Sequence, residues 1–222
     1  MKSLIKIMLI LGLGFAATFV VMKGLGILTI EQISTWLNQA SELAPHYLIG
    51  LVISLLLLDL LIAMPTLTII ILGGYFLGFY QGMLAGATGL MLAGIAGYGL
   101  SRWLGQPFVA LIIRDQTKRD EMLSSFSHYG AVIILLSRAM PILPEVSACM
   151  AGLNKMPWLR FISIWSLSAI PYAAIAAYAG SMSSLQDPKP AILTAVGLSC
   201  FFWCAWYAFM RKNKAQIKPS EI

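Results

Sequence analysis

Residues 137–146 read SRAMPILPEV and lie in the middle of a long apolar run. Pro141 and Pro144 lack a backbone N–H, and a proline breaks a helix. Arg138 and Glu145 bring opposite charges to a place where each charge costs about 2.5–3.5 kcal/mol at the bilayer centre. This pattern predicts a segment that enters the membrane and turns back at its prolines, with its charges in a hydrated cavity.

The composition is that of an integral membrane protein. Of the 222 residues, 59% are hydrophobic and only 11% are charged, and the mean hydropathy is +0.83. A soluble domain of this size would need far more polar surface. The net charge of +6 comes from basic residues beside apolar segments, where such residues set topology and touch anionic headgroups. No nucleic-acid partner is therefore expected.

The sequence contains no visible arrangement for catalysis or metal binding. Cys149, Cys200 and Cys204 lie within apolar runs, and His46 and His128 stand alone. These residues lack metal-ligand spacing, and no nucleophile is paired with a base. The sequence therefore predicts no enzyme activity, no metal and no cofactor.

Four segments have the length and composition of transmembrane helices, which need about 20 apolar residues. They are residues 5–22, 82–101, 158–180 and 191–210. We interpret residues 1–23 as a retained N-terminal anchor, because no small-x-small cleavage site follows the apolar run.

The remaining chain divides into three further parts. Residues 29–44 begin with a capping box and repeat apolar residues at three- and four-residue spacing, which predicts an amphipathic helix in the membrane interface. Residues 45–185 form one membrane domain. The last span, taken as 190–211, leads into a basic cytoplasmic tail at 212–222.

Two apolar segments of the membrane domain, 47–80 and 131–153, are interpreted as re-entrant hairpins. Pro65 divides the first into halves that are each short for a full crossing. Backbone groups freed at such a turn must be buried in protein or face water. Counting 47–63 and 66–80 as two full spans gives the same topology, so this alternative stays open.

The basic residues place both termini in the cytoplasm. With four spans and two hairpins, the basic segment 102–121 and the tail fall on one side. The opposite side receives 23–46 and 181–190, where the basic residues are only Lys23 and Lys189. This distribution follows the positive-inside rule.

The two hairpin regions match each other at an offset of 79 positions, which separates Pro65 from Pro144. At this offset Asp59 corresponds to Arg138, Thr68 to Ser147 and Gly73 to Gly152. The two units start on opposite sides of the membrane, which indicates an inverted repeat. The predicted fold is an all-α polytopic membrane protein, with an inverted repeat of two re-entrant helical hairpins and about four full transmembrane helices.

Charged residues at the two hairpin tips form the candidate site for a lipid or a proton. Arg138 is either a cation or gate for a lipid phosphate, or part of a structural ion pair. Asp59 and Glu145 are either proton acceptors or counter-ions of that arginine.

Small residues complete the candidate site. Thr66, Thr68 and Ser147 either line the cavity or bond backbone carbonyls within their helices. Glycines are expected to let neighbouring helices approach closely. These packing glycines are Gly73, Gly74, Gly78, Gly82 and Gly152.

Three motifs resemble the DedA / VTT-domain superfamily, also called the SNARE-associated Golgi protein family, over about residues 45–185. They are PTLTIIILGGYFLGFYQG from Pro65 to Gly82, RAMPILP from Arg138 to Pro144, and AGL from Ala151, followed by Met156 and Phe161. DedA-type members often carry a second arginine where Pro144 stands. They also often carry P-G-[DE] where PTL stands at residues 65–67. The chain is therefore more similar to the SNARE-associated Golgi-like bacterial branch, which weakens a specific undecaprenyl phosphate assignment.

The resemblance implies translocation of a phosphate-bearing lipid, by flipping or scrambling, through a cavity between two facing hairpins. It implies membrane lipids and, in some members, protons as partners, and the bacterial inner membrane as the location. By position, Asp59 resembles the family's acidic residue ahead of the first hairpin proline, and Arg138 the first hairpin arginine. The alternatives are a proton-coupled small-solute carrier and a non-transporting membrane-homeostasis factor. Homo-oligomerisation stays open.

Overall fold

A computed structural model describes residues 45–60, 65–112, 116–139, 143–183 and 189–214, and the helical positions 35 and 39. These residues are almost entirely helical and contain no strand, so the predicted all-α class is confirmed. Three predicted features lie outside the described residues. They are the anchor at 1–23, nearly all of the amphipathic helix at 29–44, and the tail beyond residue 214.

Six α-helices follow one another in the described chain. They are α1 (Pro45–Leu58), α2 (Thr66–Ile112), α3 (Gln116–Leu136), α4 (Leu143–Leu153), α5 (Trp158–Ser181) and α6 (Lys189–Lys214). A short 3-10 turn, Ser137–Ala139, continues from the end of α3.

Prolines stand at the starts of five of these helices. A proline at the first positions of a helix removes an N–H that would have no partner there, and its fixed φ suits the helical conformation. Pro45 and Pro144 are the first and second residues of α1 and α4, and Pro190 is the second residue of α6. Pro65 and Pro157 directly precede α2 and α5. The prolines that the sequence suggested as hairpin turns therefore begin helices, while Pro141 lies outside the described residues.

Helix α2 is folded back on itself at Gly78. This residue has φ 76° and ψ 176°, a backbone conformation that favours glycine. A Cβ on Gly82 would lie 2.7 Å from the Cα of Gly74, whereas residues eight apart in one straight helix are about 12 Å apart. We call residues 66–77 and 79–112 the first and second arms of α2.

The role expected for Gly78 is corrected by this geometry. The sequence assigned Gly78 to helix packing, but a Cβ at this position would meet no atom within 4 Å. Glycine is therefore required at position 78 because the turn has a positive φ, and not because another helix approaches closely. Gly74 and Gly82, in contrast, do lie at a close approach of two backbones.

The first arm of α2 also packs against α1. A Cβ on Gly73 would lie 3.4 Å from a methyl group of Val52. Val52 lies six residues before the end of α1, and Gly73 lies seven residues after the start of α2. The chain therefore folds back between them, within the segment 47–80 that was predicted as a hairpin.

The second region, predicted at 131–153, begins earlier than its apolar run suggests. Helix α3 already starts at Gln116 and includes a polar half. Hydropathy marks only the apolar part of a helix, while lysine, arginine, glutamate and methionine in the polar half are good helix formers. With its amide oriented to satisfy both partners, Asn154 donates to the carbonyl of Leu123 (3.2 Å), so the turn after α4 lies against α3.

The second arm of α2 and helix α5 run antiparallel through the core. Gly94 lies against the ring of Trp165, and a Cβ on Gly86 would lie 3.5 Å from the Cβ of Ala173. The residue numbers along α2 and α5 therefore run in opposite directions. The indole N–H of Trp165 donates to the carbonyl of Leu90 (2.9 Å). This packing places Trp165 at the centre of the described structure.

Three described helices have the length and composition to cross a membrane. They are α2 through Gly105, α5, and α6 through Phe209. They include the predicted spans 82–101 and 158–180 and all but the last residue of 191–210. The span at 5–22 lies outside the described residues. No residue of α6 whose burial is described is buried, so this helix lies at the periphery.

Candidate functional site

A small cavity lies where the ends of several helices converge. Its volume is about 10 Å³, which is roughly the space for one water molecule. Its wall is formed by residues of α2, α4 and α5, by the 3-10 turn after α3, and by the two residues that follow α1. The lining residues include Asp59, Leu90, Gly94, Arg138, Glu145 and Trp165. The cavity therefore brings together the charged residues of both predicted hairpins.

Arg138 lies in the 3-10 turn that continues from α3, between two aromatic rings. Its guanidinium carbon is 5.2 Å from the ring centroids of Trp165 and of Tyr172. Cation–π contacts of this kind contribute about 2 kcal/mol when desolvated. The guanidinium atoms Nε and Nη2 are buried and have no hydrogen-bond partner among the described residues.

Glu145 is the third residue of α4. A carboxylate in the first turn of a helix is stabilised by the partial positive charge at the helix N-terminus. Its Oε2 atom is buried and has no hydrogen-bond partner within the described structure. A buried polar atom without a partner costs about 1–3 kcal/mol, so Glu145 and Arg138 both retain capacity to bind a further polar group.

Asp59 follows the last residue of α1 and is only 5% exposed. Its backbone N–H donates to the carbonyl of Leu55 (3.2 Å), which continues the helical bonding of α1. A carboxylate at this end of a helix is disfavoured by the partial negative charge of the last carbonyls. A nearby cation offsets that cost, and Arg138 lines the same cavity.

The hydroxyl residues of the predicted site take different positions. Thr66 is the first residue of α2 and lies near the hydroxyl of Tyr172, the residue that lies over Arg138. Ser147 is fully buried and donates to the carbonyl of Pro144 (2.8 Å), which is the backbone-bonding alternative. None of the three residues predicted to line the cavity, Thr66, Thr68 and Ser147, is among the described residues that do so.

Trp165 and Tyr172 are part of the site but were not singled out from the sequence. They lie seven residues apart, which places both on one face of α5. That spacing was the available signal. Aromatic residues at helical spacing in an apolar segment are ordinarily assigned to packing, and only the position of Arg138 gives these two rings a further role.

The site has the chemistry of a polar binding site. Within the ranges that the structure describes, no group of three or more His, Cys, Asp or Glu side chains is arranged to hold a metal ion. One arginine and two carboxylates line an otherwise apolar, enclosed space. Such a set can bind an anion through the arginine and exchange protons through the carboxylates.

The comparisons with known proteins identify the family. The VTT domain family matches residues 64–182, which include Arg138 and Glu145. Undecaprenyl phosphate transporter A of Bacillus subtilis (strain 168) is 27% identical over 160 residues, covering 68% of this chain and 76% of that protein. An uncharacterized membrane protein of Synechocystis sp. is 30% identical over 154 residues, covering 62% and 71%. No solved structure matches. Because the family match covers more than half of the chain, the protein belongs to the VTT-domain family of DedA-type integral membrane proteins.

Proposed function

We propose that this protein translocates a phosphate-bearing lipid across the bilayer and that the phosphate passes Arg138. The proposal rests mainly on one observation. The Nε and Nη2 atoms of Arg138 are buried and have no hydrogen-bond partner among the described residues. An arginine fork suits the geometry of a phosphate group. A purely structural arginine would be expected to use these donors within the protein.

The substrate class is supported by one relative. The B. subtilis protein that shares 27% identity is named as a transporter of undecaprenyl phosphate, a lipid with a phosphate headgroup. This similarity makes a polyprenyl phosphate the first substrate to test, although Pro144 stands where DedA-type members often carry a second arginine. A phospholipid headgroup presents the same phosphate chemistry and is the second.

The contacts between α2 and α5 support the inverted repeat. Gly94 lies against Trp165. Adding 79 to 94 and subtracting 79 from 165 gives positions 173 and 86. A Cβ on Gly86 would lie 3.5 Å from the Cβ of Ala173, so these two residues also face each other. A two-fold relation between the halves exchanges contacts in this way.

A second pair of contacts agrees within one residue. A Cβ on Gly152 would collide with the carbonyl of Tyr98. Adding 79 to 98 and subtracting 79 from 152 gives positions 177 and 73. Gly74, which is next to position 73, lies against the backbone of Ala177. The close approaches of glycine to backbone thus recur at equivalent places in the two halves, which supports two facing hairpins, each packed on the span of the other half.

Translocation requires the cavity to widen. Its volume of about 10 Å³ is too small for a phosphate group. In our proposal the hairpin tips separate toward alternating sides of the membrane, with both termini cytoplasmic, and Asp59 and Glu145 carry protons. The protein then acts by transport and not by covalent chemistry.

Proteoliposomes that contain a fluorescent polyprenyl phosphate or phospholipid test this function. We expect wild-type protein to move the probe between leaflets, Arg138→Ala to abolish the movement, and Arg138→Lys to restore part of it. Arg160→Ala is the matched control, because Arg160 is exposed on α5. Monodisperse elution of every variant excludes misfolding. Unchanged movement in Arg138→Ala would refute the role of the cavity, and no movement with wild type would favour a small-solute carrier or a non-transporting factor.

A further inference from the structure

A second, larger cavity lies on the peripheral side of the charged site, between α3, α5 and α6. This groove has a volume of about 420 Å³, within the range of sites that hold small molecules. Its wall is formed mainly by apolar side chains, and no charged residue is among the described lining residues. Leu167, Ile175 and Phe201 contribute exposed apolar surface to it.

Tyr172 separates this groove from the charged site. The residue lines the groove, yet only 8% of it is exposed. Its ring lies over the guanidinium of Arg138, with 5.2 Å between the guanidinium carbon and the ring centroid. Tyr172 therefore lies between the apolar groove, which it lines, and Arg138, which lines the cavity together with two carboxylates.

Helix α5 lacks one backbone hydrogen bond beside Tyr172. Pro171 lies inside α5 and lines the groove. Because proline has no N–H, the carbonyl of Leu167 receives no hydrogen bond from position 171, and helices bend most readily at such a site. A bend of α5 at Pro171 would displace the adjacent Tyr172 and join the two spaces.

We propose that the groove binds the hydrocarbon tail of the lipid whose phosphate is handled at Arg138, with Tyr172 as the positioning residue between tail and headgroup. The inference rests on the proposed function and adds the site of the tail and its route of entry. A phosphate-bearing lipid has one charged and one apolar end. In the structure, Tyr172 lines the apolar groove and also contacts Arg138 of the charged cavity. Ordinary bilayer lipid in contact with the groove is the competing explanation.

Photo-crosslinking separates the two explanations, because bilayer lipid fills a groove regardless of its headgroup. The probe is a polyprenyl phosphate with a diazirine in its tail, added to detergent-solubilised full-length protein. We expect labelled peptides from α5 near Leu167 and from α6 near Leu198. Excess unlabelled polyprenyl phosphate should suppress the labelling several-fold, whereas the polyprenyl alcohol of the same length should not. Arg138→Ala should remove this difference between the phosphate and the alcohol.

Two substitutions test the position of the tail. Leu198→Trp narrows the groove and should lower the labelling several-fold. Leu193→Trp is the matched control, because Leu193 is 71% exposed on the same helix and is not among the described lining residues. Phe201→Ala removes exposed groove surface without touching the core and should lower the labelling as well, so the test stands even when the tryptophan variant folds poorly.

The outcomes distinguish failure of the groove from failure of the proposed function. Headgroup-dependent labelling without translocation in proteoliposomes would retain the groove and reject transport. Two results would reject the groove as the tail site while leaving transport intact, provided that the protein translocates lipid. The first is equal suppression of labelling by the phosphate and by the alcohol. The second is labelling that neither Leu198→Trp nor Phe201→Ala changes.

Discussion

Within the part of the chain that the structure describes, two arginines lie over tyrosine rings, and they differ in the hydrogen bonds that their nitrogen atoms make. The guanidinium carbon of Arg102 is 5.7 Å from the ring centroid of Tyr98, and that of Arg138 is 5.2 Å from the ring centroid of Tyr172. Arg102 donates through Nη1 to the hydroxyl of Tyr98 (2.7 Å) and to the carbonyl of Met156 (3.2 Å). The Nε and Nη2 atoms of Arg138 are buried and have no hydrogen-bond partner among the described residues.

The difference separates a structural arginine from a candidate binding residue. Arg102 is exposed, and its bonds join the second arm of α2 to the turn between α4 and α5. Its Nη1 atom has two protein partners, and none of its nitrogen atoms is among the buried atoms that lack one. Arg138 lies inside the cavity with unused donors, and a buried donor without a partner is costly. A phosphate at Arg138 would remove that cost.

The largest effect on folding is expected from Gly152→Ala. A Cβ at Gly152 would lie 2.9 Å from the amide nitrogen of Arg102 and would also collide with the carbonyl of Tyr98. These are backbone atoms, so α4 must move away from α2, and both arginine sites would be disturbed. We expect loss of monodisperse protein in size-exclusion chromatography. Gly197→Ala is the control, because a Cβ there meets no atom within 4 Å; equal loss from both variants would show that glycine packing is not the cause.

A moderate effect on stability, with little effect on transport, is expected from Arg102→Ala. The variant loses two hydrogen bonds from a charged donor, and we expect the free energy of unfolding to fall by roughly 1–2 kcal/mol. Thermal unfolding followed by tryptophan fluorescence measures the fall, and the proteoliposome assay measures transport. Loss of transport at full stability would remove the distinction between the two arginines.

A change in coupling is the smallest effect that we predict. Asp59→Asn and Glu145→Gln keep the shape of each side chain but remove its charge. If these carboxylates carry protons, each variant should translocate lipid at a rate that no longer responds to an imposed pH gradient. Rates measured with and without the gradient test this. A gradient response equal to that of wild type in both variants would reduce Asp59 and Glu145 to counter-ions of Arg138.

Much of this site could be predicted because charge and proline are rare in apolar segments. Asp59, Arg138 and Glu145 stood out for that reason, and the structure brings all three to one cavity. Gly74, Gly82 and Gly152 were recognisable as packing residues, since small residues permit close backbones.

The remaining features depend on tertiary geometry. The turn at Gly78 was missed because glycine spaced every four residues resembles a packing stripe, and only φ distinguishes a turn from a contact. The start of α3 was predicted too late, at residue 131, because hydropathy does not mark the polar half of the helix. The roles of Trp165 and Tyr172 follow from the position of Arg138 alone, which no local pattern encodes.

The central claim is that Arg138, and not Arg102, binds the phosphate of a lipid. Mass spectrometry of lipids that copurify with the full-length protein tests it most directly, with wild type, Arg138→Ala and Arg102→Ala purified in parallel. We predict that wild type and Arg102→Ala retain the same phosphate-bearing lipid and that Arg138→Ala loses it while eluting as a monodisperse protein. Equal retention by Arg138→Ala, or loss from Arg102→Ala alone, would contradict the claim.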